Sequence, residues 1–361
     1  MFGGGGVLGF AWTVGALRAL EVEWGVDANT VALNLGTSAG SMLAALLGCG
    51  IEADVIRRHH QGVPAPADPS IDWDYRNDSG GALPPWPGFV PGSPRLLLDA
   101  IRRPSSIPAG VALSGLLPRG RGTLEPIRTV ISAAMAAAAG RDSNGDSVLA
   151  SAAAKASGPD GPERGGESAG ALWPDQPQTW VVATDYDSGA RVVFGRDRAL
   201  TGPVELGDAV AASCAIPAWY APVPIGDRMY IDGGTASNAS ADLVEPLVAS
   251  GAVDEVFVLA PMASIEPDHP RSPLARLERA VRRAVTRGIE HDASRLRAAG
   301  ARVVVLTPGP YDLDVMGANL MNPSRRAEVL ETSLLTSATA LRELRLSQGI
   351  DSARVEPGRR G

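Results

Sequence analysis

Leu33-Asn34-Leu35-Gly36-Thr37-Ser38-Ala39-Gly40-Ser41 decides the reading of this chain. A short apolar strand runs into Gly-x-Ser-x-Gly, and the helical run Met42 to Leu47 follows. A serine on so tight a strand-to-helix turn is pushed outward with its hydroxyl exposed, the nucleophile-elbow pattern. The crowded turn needs small neighbours, and Gly36, Ala39 and Gly40 supply them. Ser38 also sits at a helix N-terminus, where unpaired N–H groups and the helix dipole favour negative charge. An oxyanion formed beside it would be stabilised there. The plainer reading of the same residues is an ordinary turn with a serine N-cap.

Upstream, Gly3 to Gly9 is a glycine-rich loop, and Phe10 to Glu23 has helical periodicity through Val14, Leu17 and Leu20. Loop, helix, strand, elbow and helix in succession make an α/β pattern with a parallel sheet. A glycine loop of this kind ordinarily follows a buried strand, yet only Met1 and Phe2 precede it. The expectation is that the natural start lies upstream of Met1. Gly4-x-Gly6-x-x-Gly9 also fits a dinucleotide fingerprint. That reading needs an acidic residue at the end of the second strand, where the elbow stands instead. No Gly-Lys-Ser/Thr follows to make a P-loop. What remains is an oxyanion hole, since glycine amides approach a carbonyl oxygen closely.

Downstream, residues 62–123 are rich in Pro and Gly and hold Trp73, Tyr75, Trp86 and Phe89, an irregular insertion that reads as a lid, an acyl-pocket wall or a surface excursion. Thr123 to Ala139 is helical. Residues 140–172 are low-complexity and are expected to be a disordered loop. Gln178 to Ala183 and Arg191 to Phe194 read as a hairpin, and Leu206 to Ser213 as a helix. Met229-Tyr230-Ile231 then leads into Asp232-Gly233-Gly234, which puts a carboxylate at a strand end with a bend behind it. Glu255 to Ala260 and Arg302 to Leu306 read as strands. Leu274, Leu277, Val281, Val285, Ile289 and Leu296 mark an amphipathic helix with arginines opposite. Those arginines are candidates for an anionic membrane surface. Ala327 to Leu346 is a last helix, and 351–361 a frayed tail.

A serine nucleophile needs a base. His269, in a Pro-flanked polar loop, and His291, on the arginine-rich helix, both read as solvated. A Ser-His-Asp esterase would nonetheless have to use one of them. Asp232 is the better candidate: a carboxylate is a poor base at its ordinary pKa of about 4, but serves when desolvated and bonded directly to the hydroxyl.

Composition narrows the partners. The 361 residues are 45% hydrophobic and 20% charged, with a net charge of −7, so nothing suggests nucleic acid. Cys49 and Cys214 read as buried small hydrophobes in a reducing, cytoplasmic compartment. The four histidines lack metal-ligand spacing, and no metal or cofactor is expected. No apolar run is long enough for a transmembrane helix.

Gly-Gly-Gly-x-x-Gly, Gly-Thr-Ser-Ala-Gly and Asp-Gly-Gly, in this order, resemble the patatin-like phospholipase family. Gly15-Ala16-Leu17, Ser213-Cys214-Ala215-Ile216-Pro217 and Asn238 agree. The resemblance covers roughly residues 3–50 and 178–335 and is loose over 60–175. It implies a single α/β domain over 1–350: three α/β/α layers about a mainly parallel central sheet, with the 62–123 insertion. It implies a lipid acyl hydrolase with a Ser-Asp dyad and no histidine. By position, Ser38 would be the nucleophile and Asp232 its base. Gly4, Gly5, Gly6, Val7 and Ala39 would supply the oxyanion hole, with Gly9, Gly36, Gly40, Gly233 and Gly234 as supporting motif glycines. Leu8 stands where the family often has Arg or Lys, which leaves neutral esters open beside phospholipids. The sequence is silent on acyl length, head group and oligomeric state.

Overall fold

A computed structural model describes residues 1–69, 81–85, 92–102, 107–154, 173–174, 177–197, 203–266, 268, 270 and 273–347. In chain order the elements are α1 (Gly6–Trp24), β1 (Leu33–Thr37), α2 (Ala39–Gly48), α3 (Ala53–Gln61), α4 (Pro94–Arg102), α5 (Ala109–Leu116), α6 (Glu125–Ala154), β2 (Gln178–Asp185) and β3 (Arg191–Phe194). There follow α7 (Leu206–Ser213), β4 (Val223–Ile225), β5 (Arg228–Asp232), α8 (Glu245–Ala249), β6 (Glu255–Leu259), α9 (Pro273–Ala298), β7 (Arg302–Leu306), α10 (Pro310–Met316) and α11 (Arg326–Ser347). The α6 backbone is helical to Ala154, so the helix outruns the Gly140 boundary expected from composition. The rest of the low-complexity stretch, the 351–361 tail, and Trp73, Tyr75, Trp86 and Phe89 lie outside the described residues.

The sheet is mixed. β1 pairs with β2 and β6 with β7 in parallel, whereas β2–β3, β2–β5 and β5–β4 are antiparallel. Short turns explain the antiparallel half: β4 and β5 are joined at Gly226-Asp227, too short a link for a crossover.

Met1 to Gly3 join the two parts. The Phe2 N–H donates to the Leu35 carbonyl at 2.8 Å and the Thr37 N–H to the Phe2 carbonyl at 3.0 Å. On the other side, Gly3 and Leu259 donate to Leu259 and Met1 carbonyls at 2.9 Å. Phe2 thus fills a strand position between β1 and β6, parallel to both. The glycine loop is held by this pairing although little chain precedes it.

Successive residues of β2 bury into different cores, as the period of two requires. Val181 and Ala183 join the core containing Leu17, Leu43, Val210 and Leu330, while Trp180 and Val182 join the one containing Val258, Ile289 and Leu296. In the insertion, Leu96 and Val111 pack on Tyr186 and Ile231 as a smaller cluster.

Along the long helix α9 the expected apolar face is buried at Ile289 and Leu296 and packs on the core at Val285, but its first turns depart from the expectation. Leu277 and Val281 are exposed, while Arg279 and Arg282 are buried, Arg282 at 1% exposure. Arg282 pairs with Glu278 and donates to the Pro261 carbonyl at 2.6 Å and the Ala263 carbonyl at 3.3 Å. Arg282 is therefore no membrane-facing group. The loop after β6 turns bare carbonyls toward the helix, and a guanidinium satisfies several at once.

Candidate active site

β2 runs between β1 and β5. Thr37 is opposite Val182, so the next position, Ser38, is level with Ala183, and Ala183 is opposite Asp232 on its other side. Two strand spacings, about 10 Å of backbone, separate the two residues. Their side chains bridge this gap. The Ser38 hydroxyl donates to Asp232 Oδ2 at 2.6 Å, with no ring between them.

The elbow is as tight as the sequence suggests. Ser38 has φ 53° and ψ −126°, a sparsely populated setting for a side-chain-bearing residue. A Cβ on Gly36 would lie 2.2 Å from the Gly40 carbonyl oxygen, and one on Gly40 would lie 2.1 Å from that of Phe2. The Ser38 N–H donates to the Ser213 hydroxyl at 2.8 Å, and that hydroxyl donates to the Val182 carbonyl at 2.6 Å. Ser41 donates to the Ser38 carbonyl at 2.6 Å. In the sequence Ser213 is marked only by its place before Cys214-Ala215-Ile216-Pro217, and a contact between residues 175 positions apart has no local signal.

Asp232 is 6% exposed. Desolvation pushes its carboxyl up to about 6, against hydrogen bonds from Ser38 and the Gly234 N–H that hold it down. The Gly234 bond, 2.7 Å to Oδ1, also fixes the carboxylate's orientation. A Cβ on Gly233 would strike the Val182 carbonyl oxygen at 2.3 Å. The bend behind Asp232 thus lies directly against the sheet.

The glycine loop divides. The Gly4 N–H donates to the Asn238 carbonyl at 3.1 Å, and Asn238 Nδ2 donates to the Gly4 carbonyl at 3.1 Å. Gly4 is therefore clamped rather than available to an oxyanion, which corrects its place in the expected set. Gly5, Gly6 and Val7 open α1, whose first amides have no intrahelical partner. Gly6 has φ +61°, suited to glycine, and a Cβ there would meet Met321 Sδ at 2.8 Å. Gly5 and Gly9 lie against the Pro261 ring. Ala39 opens α2, so two helix N-termini flank Ser38.

Beside Ser38 opens a cavity lined mainly by apolar side chains including Val7, Phe10, Met42, Ile127, Tyr220 and Met321. Among the described residues, none of 62–123 lines it. The wall expected from the insertion comes instead from Leu124 and Ile127, just beyond it. His60 also borders this cavity, and burial holds its ring down to about 3, hence neutral. His291 is exposed on α9, and His269 lies outside the described residues. Among the described residues no cluster of His, Cys, Asp and Glu could hold a metal ion. The thiols of Cys49 and Cys214 are buried, and burial pushes the Cys214 thiol up, so it stays protonated.

A serine on a strand-to-helix elbow, bonded to a buried carboxylate beside an apolar cavity, sits in an α/β fold with a mixed sheet. Residues 1–244 match the family described as Patatin-like phospholipase, and the chain belongs to that family. Hydrolysis of lipid esters is the family's general chemistry. No curated protein matches the chain.

Proposed function

We propose that this chain is a serine acyl hydrolase that cleaves carboxylic esters of lipids through a Ser38–Asp232 dyad. The 2.6 Å bond from the Ser38 hydroxyl to Asp232 Oδ2 carries the reading. Ser38 Oγ attacks the ester carbonyl carbon as its proton passes to Asp232. The tetrahedral oxyanion is met by the amides of Gly5, Gly6, Val7 and Ala39, and by the positive ends of α1 and α2. Asp232 returns the proton to the leaving alkoxide, and the acyl group remains on Ser38. Water then gives a proton to Asp232 as it attacks the acyl carbon, and Asp232 passes that proton to Ser38 Oγ as the acyl–oxygen bond breaks, releasing the acid and restoring the dyad. A carboxyl raised to about 6 is ionised at neutral pH yet basic enough to share the proton.

The apolar cavity suits the acyl chain. On this reading the two cores are the two helical layers of a three-layer domain spanning 1–350, and the site is cytoplasmic or peripheral to a membrane. Neither a metal nor a cofactor is required for the steps above. A fluorophosphonate probe tests the assignment. Labelling of the wild type, its loss in Ser38→Ala, and ester turnover that survives His291→Ala and His269→Ala are expected. Turnover abolished by His269→Ala would instead support a Ser-His-Asp triad.

A further inference from the structure

We infer that helices α4 and α5, with Arg121 after them, dock this protein on an anionic lipid surface beside the active-site cavity. The inference rests on the hydrolase reading for its purpose, not for its observations. Seven of the fourteen exposed large apolar side chains among the described residues lie within 62–123. In α4, Leu98 and Ile101 are 46% and 79% exposed; in α5, Leu113 and Leu116 are 57% and 65% exposed. Each pair is three residues apart, so each helix turns one apolar ridge to water while Leu96 and Val111 anchor the other side.

The charge of this stretch opposes that of the whole. The chain carries −7, yet 92–123 holds five arginines and one carboxylate, Asp99. Arg95, one turn before Leu98, and Arg102, next to Ile101, are exposed on α4, Arg95 pairing with Asp187 at 3.3 Å, and Arg121 is exposed after α5. Apolar side chains rimmed by guanidiniums fit a bilayer interface, where the first enter the acyl boundary and the second meet anionic head groups.

The position is the third observation. Gly110 in α5 packs on the Thr235 carbonyl, three residues from Asp232. Gly122 pairs with Tyr220, its N–H donating to the Trp219 carbonyl at 3.0 Å, and Tyr220 lines the cavity. Among its described residues the insertion is therefore no wall of the cavity but a shelf at its side. A lipid held by this shelf would reach Ser38 by a short path.

Co-sedimentation with vesicles tests this, using the full chain with Ser38→Ala so that the bilayer stays intact. Phosphatidylcholine vesicles are compared with equimolar phosphatidylcholine–phosphatidylglycerol. Binding several-fold stronger to the anionic vesicles is expected. Each arginine near the surface should contribute about fivefold, so Arg102→Glu with Arg121→Glu should lower binding at least about tenfold. Ile101→Ser with Leu116→Ser should lower binding to a similar degree, by removing buried apolar area. With Ser38 restored, neither pair should change turnover of a short soluble ester, which also reports that the variants are folded. Equal binding before and after substitution would overturn the docking face, and so would absence of binding to both vesicles. Concentration-dependent self-association lost in the same variants, without vesicle binding, would assign the face to a second copy and overturn the lipid. Failure of soluble-ester turnover in the wild type would instead strike the hydrolase reading and leave the vesicle result standing.

Discussion

The Arg282 guanidinium donates to the Pro261 carbonyl at 2.6 Å, and the Pro261 ring covers Gly5 and Gly9 at the mouth of the glycine loop. A buried cation on one helix thus braces the backbone against which the amides of Gly5, Gly6 and Val7 are set. Arg282→Met should lower kcat for a soluble ester about tenfold or more with little change in KM, because the loop contributes most in the transition state. Glu278 keeps its pair with the buried Arg279 in this variant, but the Pro261 and Ala263 carbonyls lose their Arg282 donor, at about 1–3 kcal/mol each. Thermal unfolding and steady-state kinetics together check it.

Asp232 gives a pH-dependent expectation of opposite sign to that of a salt-bridged aspartate. Its folded pKa of about 6 lies above the ordinary value of 3.8, so the folded state binds more protons between those limits. Stability therefore falls as pH rises through that window, by about 3 kcal/mol in total. Asp232→Asn should be inactive, by about 10²–10⁴-fold at least. It should also be more stable than the wild type at pH 8, with the gain vanishing toward pH 4. Denaturant unfolding at the two pH values measures this. Wild-type kcat/KM should rise with pH through an apparent pKa near 6.

Ser213 ties the elbow amide to β2 through one hydroxyl, accepting at 2.8 Å and donating at 2.6 Å. Ser213→Ala leaves the Ser38 N–H and the Val182 carbonyl buried without that partner. Each unsatisfied group costs about 1–3 kcal/mol. A matching fall in stability is expected, with kcat reduced as the strained Ser38 backbone relaxes. Calorimetry and active-site titration separate the two effects.

Ile127 and Met42 face the apolar cavity beside Ser38. Ile127→Trp should reduce turnover of long-chain esters about tenfold or more while sparing short ones, since extra volume has nowhere to go in a packed wall. A chain-length panel of p-nitrophenyl esters reads this directly. Uniform loss across the panel would place the acyl chain elsewhere.

The sequence by itself determined the local chemistry. Gly36, Ser38 and Gly40 are legible because a tight elbow admits only small neighbours, a constraint set within five residues. Asp232-Gly233-Gly234 is legible as a carboxylate at a strand end for the same reason. Helices and strands with regular apolar spacing, such as 206–213, 255–259 and 302–306, fall where the periodicity puts them. Tertiary structure decided what depends on partners far along the chain. The level of Ser38 and Asp232 across β2 is a matter of register, which no local pattern encodes. The loss of Gly4 to Asn238 and the exposure of Leu277 and Val281 in the first turns of α9 are of the same kind. Helical periodicity marks a face, but the carbonyls of Pro261 and Ala263 determine that arginines, and not Leu277 and Val281, turn inward there. Unpaired carbonyls need donors more than that helix end needs apolar contact, and the need arises only once the loop has folded against it.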